Sequence, residues 1–220
     1  MPDNKIKSES MYFKDRLEAG LALAEHLGKY KNEHGVVLAV PRGGIPVAYV
    51  VAKELKWPLE VVLTKKIGHP VYKEYAIGAA SLTDYFIVPH EDVTDSYIKT
   101  EVERVQSRLR QMQKEFMGSK VSADLEGKTV IIVDDGIATG NTLQATVNVL
   151  RKSNPAKIVI AVPVSTASAY EKLSVIVDEI IAVLIPEEFY GVGAFYENFK
   201  QVSDEEVKYY LNKITRKNAA

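Results

Sequence analysis

Between Val130 and Thr142 the chain reads Val-Ile-Ile-Val-Asp-Asp-Gly-Ile-Ala-Thr-Gly-Asn-Thr, and no other stretch restricts the possible folds as tightly. An apolar run stops at two acids, crosses a short loop with two glycines, and enters the apolar-periodic segment Leu143 to Leu150. That pattern predicts a buried strand, a tight turn and a helix N-terminus. The first turn of a helix leaves backbone N–H groups unpaired at the positive end of its dipole, a place that favours phosphate. Gly136 and Gly140 let the backbone approach such a ligand, and Thr139 and Thr142 add hydroxyl donors. Asp134 and Asp135 come one step earlier, where they can accept hydrogen bonds from a sugar's hydroxyls. A phosphate cradle beside a diol acceptor points to a phosphorylated pentose.

The rest of the chain repeats the alternation of apolar runs with helical patterns. Asp15 to Gly28 has mainly helical spacing, and Gly35–Val40 is a short apolar run broken by Pro41-Arg42-Gly43-Gly44. Ile45–Leu55 is helical, Leu59–Leu63 is the next strand, and together they form one βαβ unit. Thr64 to Tyr75 reads as a polar loop. Ile77–Leu82 and Tyr85–Val88 read as a hairpin. A long helix follows Thr94 or Asp95, with Ile98, Val102, Val105, Leu109, Met112 and Phe116 on a narrow seam for one neighbouring element or a symmetry mate. Lys157–Val162 and Glu179–Ile185 are further strands. Ser203 to Glu206 is a capping box that opens a final helix. The expected fold is α/β, doubly wound around a mostly parallel sheet, with ligands beyond the carboxyl ends of its strands.

Composition narrows the function. The 220 residues, 46% hydrophobic, suffice for one domain spanning 1–220. A formal net charge of −1 and no long basic run argue against a nucleic-acid binder. The absence of cysteine removes disulfides, thiolate nucleophiles and cysteine-type zinc sites. Met1 to Ser10 lacks an apolar leader, and no run approaches the roughly 18 residues of a membrane span, so a cytoplasmic protein is expected. Two familiar phosphate motifs are missing. Asn141 stands where a Walker A loop has lysine, and no G-x-G-x-x-G opens a helix after a strand.

Val133 to Thr142 resembles, along its whole length, the signature of the type I phosphoribosyltransferases: a strand, two acids, and a loop ending in Thr-Gly-x-Thr. The resemblance implies that the chain binds phosphoribosyl pyrophosphate. Gly136, Ile137, Ala138, Thr139, Gly140, Asn141 and Thr142 would hold the 5′-phosphate, and Asp134 and Asp135 the ribose. Val40-Pro41-Arg42-Gly43-Gly44 stands where the family has its pyrophosphate loop, often with a non-proline cis peptide, so Arg42, Gly43 and Gly44 become pyrophosphate ligands. Thr64 to Ala79 is similar to the Arg-Lys-x-Gly-x-Pro-x-x-x-Glu-x-Ala-x-Gly-Ala pattern of a bacterial subgroup, with Lys65 in place of arginine. Lys65 and Lys66 are thereby pyrophosphate ligands, and Lys66 a catalytic residue beside Asp134 and Asp135. The Phe13-Lys14-Asp15-Arg16 start and the tail Phe189 to Glu206 also look like that subgroup, and segments 85–125 and 186–220 would build a hood. Pro186-Glu187-Glu188-Phe189 resembles the start of the purine members' hood. Phe189 is thus the base-stacking candidate, with packing of the hood core as its other reading.

One departure bears on specificity. Members acting on 6-oxopurines have an Asp two residues before the loop glycine, and here that position is Ala138. What the resemblance implies is Mg²⁺-dependent transfer of phosphoribose to a nitrogen nucleophile, a nucleobase-like acceptor that the motifs do not fix and for which Ala138 disfavours a 6-oxopurine, with a homodimer as a possible assembly. Mg²⁺ would be held through substrate and water rather than by a protein metal site. A regulator that binds phosphoribosyl pyrophosphate or a nucleotide without turnover is the alternative.

Overall fold

The structure, a computed structural model, describes residues 12–73, 75–90, 92–118 and 123–218. The leader reading at Met1 to Ser10, Glu74 of the lysine loop, and Glu91 and 119–122 of the 85–125 segment lie outside them. In chain order the elements are α1 (Arg16–His26), β1 (Gly35–Ala39), α2 (Gly44–Leu55), β2 (Leu59–Val61), β3 (Lys65–Gly68), β4 (Ala76–Ala80) and β5 (Tyr85–Ile87). They continue with α3 (Asp95–Met117), β6 (Thr129–Val133), α4 (Asn141–Leu150), β7 (Lys157–Val164), α5 (Ala167–Ser174), β8 (Glu179–Leu184) and α6 (Asp204–Asn218).

Five strands form one parallel sheet in the order β2-β1-β6-β7-β8. Successive side chains of a strand point to opposite faces, so an unbroken apolar strand needs cover on both. The helices supply it. Val37, Ala39, Ile131, Val133, Val159 and Ala161 pack with α1, α2 and α6 residues such as Leu23, Val51 and Leu211. Val36, Leu38, Val130, Ile132, Ile158 and Ile160 pack with Leu143, Val147 and Leu173 of α4 and α5. Each of the valine, leucine and isoleucine side chains among them contributes about 1.5–3 kcal/mol on burial. The doubly wound fold read from the sequence is the fold observed. Strand order reverses between β1 and β6, and the crevice beyond their carboxyl ends is where ligands bind in open α/β sheets.

The segment after β2 departs from the expected loop. Lys65–Gly68 is a strand, paired antiparallel with β4, which pairs in turn with β5 in a second, three-stranded sheet. Four residues with one buried aliphatic, Ile67, carry too little periodicity to announce it. The seam of α3 is used inside the chain: Val102, Val105, Leu109 and Phe116 are buried, and Ile98 and Met112 pack on the same core. Thr94 caps α3, accepting from Tyr97 N at 3.3 Å. The expected capping box is present too, with Ser203 N donating to Glu206 Oε2 at 2.9 Å and Glu206 N to Ser203 Oγ at 3.2 Å. Packing of α3 against α6 joins the two segments expected to form a hood.

Candidate active site

At the switch point the turn after β1 meets the acids after β6. Val40 N donates to Val133 O at 2.8 Å and Gly44 N to Val40 O at 3.0 Å, which folds Pro41-Arg42-Gly43 over the end of β6. The Pro41–Arg42 peptide is cis, inside the loop where the family resemblance places such a bond. Only a residue without a side chain fits at position 43. A Cβ there would lie 2.0 Å from Asp135 Oδ2, and one on Gly44 would lie 2.7 Å from Val133 O.

The adjacent acids occupy different environments. Both are partly buried, and Asp134 Oδ1 accepts from Asp135 N at 2.8 Å. Burial, and then the neighbouring Asp135 carboxylate, push the Asp134 carboxyl well above the ordinary carboxylate range. Asp135 instead faces a cation that sequence reading did not assign. Arg16 Nε and Nη2 approach its Oδ2 at 2.9 and 2.8 Å. Arg16 is itself held from two further sides. Its Nη1 donates to Lys200 O at 2.8 Å, and its guanidinium lies 3.9 Å from the Phe199 ring centroid. The Tyr196 hydroxyl donates to Asp135 O at 2.6 Å, and burial pushes that phenol up. The start of α1 and the tail thus clamp Asp135 from across the chain. The only sequence signal for this was that both segments look like the same subgroup.

The loop after Asp135 is anchored at its inner end and open at its tip. Ile137 is buried, its N donating to Val164 O at 2.9 Å, while Thr139, Asn141 and Thr142 lie toward the surface. Gly140 caps α4 at φ +70°, a left-handed conformation that glycine adopts without steric cost. Thr166 Oγ1 donates to Ala138 O at 2.8 Å, and Lys172 of α5 reaches the Asn141 side-chain oxygen. Lys172 is a second cation the sequence reading missed.

Lys65 and Lys66 are neighbours on β3 and point to opposite sides. Lys65 lines a cavity of about 670 Å³ with Pro41 and Arg42. Lys66 lines another, of about 530 Å³, with Thr139, Asn141 and Thr142. Arg42 and Lys65 are therefore brought together, and Lys66 joins the α4 loop. Burial, and then Arg108 and Arg104 of α3, lower the Lys65 ammonium pKa. Phe189 has its ring stacked on Phe195 with centroids 5.5 Å apart, in a cluster that includes Val192. Val192 in turn sits against Gly136, whose Cβ would fall 2.5 Å from Val192 Cγ1.

Comparison with known proteins agrees with this geometry. A Mycobacterium tuberculosis protein named for phosphoribosyl transfer is 38% identical over 210 residues, covering 93% of this chain and 47% of its own length. The chain thus spans about half the length of the curated relatives it matches. A crystal structure of a Thermus thermophilus protein superposes with a TM-score of 0.85 at 36% identity, covering 92% of this chain and 98% of that one. A Pyrococcus furiosus ribose-phosphate pyrophosphokinase is 40% identical over 68 residues, 30% of this chain and 24% of its own. Residues 15–193 match the family described as "Phosphoribosyl transferase domain", and the chain belongs to that family.

Proposed function

We propose that the chain transfers phosphoribose from phosphoribosyl pyrophosphate to a nitrogen nucleophile, a nucleobase-like acceptor, with release of pyrophosphate. The observation that carries this reading is the meeting of the Pro41–Gly44 turn with Asp134–Thr142 at the switch point of the sheet. In it, the α4 N-terminus and the Thr139 and Thr142 hydroxyls bind the 5′-phosphate and so fix the ribose for attack. Both Arg16 nitrogens go to Oδ2 of Asp135, which leaves Oδ1 as the acceptor for a ribose hydroxyl. As C1 loses pyrophosphate the ring becomes cationic, and the Asp135 carboxylate favours that charge. Arg42 and Lys65 receive the charge that develops on the leaving group.

The donor set fits Mg²⁺ held mainly through substrate. Among the described residues no three His, Cys, Asp or Glu side chains converge, and this rim offers only Asp134 and Asp135. Mg²⁺ commonly takes one or two carboxylates and completes its shell with phosphate oxygens and water. Bound there, it would neutralise the pyrophosphate. Ala138 leaves the loop without an acid for a 6-oxopurine, which disfavours that class of acceptor. Among the described residues no helix is long and apolar enough to cross a membrane, which is compatible with a cytoplasmic role.

A panel of nucleobases incubated with phosphoribosyl pyrophosphate and Mg²⁺, read as pyrophosphate release, tests the proposal. Release that depends on one base supports it. Binding of phosphoribosyl pyrophosphate without release for any base would turn the reading toward a regulator.

A further inference from the structure

The cavity on the Lys66 side of β3 extends well past the phosphate loop. One wall lies at the β4–β5 hairpin, with Tyr75, Phe86 and Val88, and the other is α4, with Gln144 and Asn148. Thr139, Asn141 and Thr142 border the same space at the start of the helix. From Asn141 to Asn148 the helix rises about 10 Å, which gives the cleft its length. Asp134 and Asp135 do not line it, so it is separate from the place proposed for the reacting ribose.

The side chains of this cleft lack partners within the chain. Phe86 is half-buried, yet among the described residues its ring joins none of the hydrophobic clusters. Tyr75 is 56% and Val88 47% exposed, so the apolar wall they form with Phe86 is uncovered. His90 steadies that wall, meeting the Tyr75 ring edge-on with centroids 5.5 Å apart. Gln144 and Asn148 are four residues apart and therefore stand together on one face of α4. Both are half-buried, and among the described residues no side-chain hydrogen bond engages either amide. Polar groups in such positions normally find partners. Gly78 and Ala145 put no bulk between the two walls. About 530 Å³ falls in the range of small-molecule sites, which combine an apolar wall with a few convergent polar groups. Aromatic rings facing two amides suit a flat heterocycle, which can stack on the rings while its edge meets amide donors and acceptors.

We propose that this cleft is a nucleoside monophosphate site, with the base between Phe86 and the Gln144–Asn148 amides and the phosphate on the Thr139–Thr142 loop. The proposal rests on the transfer reading for its phosphate end alone. A nucleotide bound this way occupies the phosphate position that phosphoribosyl pyrophosphate needs, while its base lies outside the acid-lined space. It therefore acts as a competitive inhibitor whose base is read by α4 and β5.

Competition calorimetry of the purified chain with ribose 5-phosphate and with AMP, GMP, CMP and UMP tests the site. At least one nucleotide should bind about 10-fold or more tightly than ribose 5-phosphate, the gain expected from stacking one base. Ribose 5-phosphate should displace it. Asn148→Ala and Phe86→Ala should each bring that nucleotide back toward the affinity of ribose 5-phosphate and leave ribose 5-phosphate itself unchanged. Alanine is the best helix former, so Asn148→Ala keeps α4 even if Phe86→Ala weakens the hairpin. Four nucleotides no tighter than ribose 5-phosphate, or a tight one indifferent to Asn148→Ala and Phe86→Ala, would overturn the site and leave the transfer reading standing. Pyrophosphate release with no base, alongside Asn148-dependent nucleotide binding, would sink the transfer reading and leave this site.

Discussion

The cavities on the two sides of β3 are lined by adjacent lysines and yet differ in kind. On the Lys65 side the positive potential comes from side chains: Arg42, Arg104 and Arg108. On the Lys66 side the described wall of the cavity along the loop and α4 is Thr139, Asn141, Thr142, Gln144 and Asn148. There the backbone supplies the positive end, through the N–H groups and dipole of α4. Both spaces suit phosphate, one by mobile side-chain charge and one by fixed backbone geometry. On the proposed reading the α4 loop places a group, and the α3 side gathers charge.

The largest effect should come from the residue between the two sides. Under the transfer reading, Asp135→Asn should cut pyrophosphate release about 10²–10³-fold or more, because a charge acting on the reacting ribose would be lost. It should also lower the melting temperature, since the mostly buried Arg16 would lose its acid. Combining it with Arg16→Gln separates the two effects: stability should partly return and turnover should not. Turnover that survives Asp135→Asn would remove the ribose from this position.

Next in size is the lysine contrast. Under the transfer reading, Lys66→Met should raise the KM for phosphoribosyl pyrophosphate and weaken ribose 5-phosphate binding about 10-fold, while Lys65→Met, which removes a cation from the leaving group, should lower kcat about 10-fold or more and weaken pyrophosphate binding. Equal effects of both variants on both ligands would erase the division at β3. A smaller effect should follow from salt. Raising ionic strength from about 0.05 to 0.5 M shortens the screening length severalfold. Pyrophosphate affinity should fall more steeply than that of ribose 5-phosphate, because more side-chain charge faces the first ligand.

The sequence announced the elements with unbroken apolar patterns and missed contacts that join distant segments. Past their first residues β1, β6 and β7 are apolar because helices cover both faces, so their runs were plain. The Thr94 cap and the Ser203–Glu206 box were legible because they are local. β3 was not, since its pairing with β4 decides a segment whose own pattern is only Lys-Lys-Ile-Gly. In the site, the loops after β1 and β6 could be located from glycines and acids alone. The Arg16–Asp135 pair spans 119 positions, and the approach of Lys172 to Asn141 depends on where α5 lands. Neither leaves a periodic trace. Phe189 illustrates the same limit, because an aromatic in a tail looks alike whether it stacks on Phe195 or on a ligand.

The smallest predicted effect concerns Asp134, the member of the acid pair without the Arg16 contact. Burial and the adjoining Asp135 raise the Asp134 carboxyl above the ordinary range, so the folded protein keeps a proton that the unfolded chain releases. Below the unfolded pKa, near about 3.9, both states are protonated and Asp134 costs nothing. As pH rises from there through the folded pKa, stability is lost, and the loss levels off above it. Asp134→Asn has no proton to lose and keeps an oxygen for the Asp135 N–H. Its melting temperature should match the wild type near pH 4 and exceed it at neutral pH, by about 2–4 °C per kcal/mol of relieved cost. Scanning calorimetry across that range checks the sign. A variant less stable than the wild type at neutral pH would mean that Asp134 is ionised and stabilising, and the two acids would then act alike.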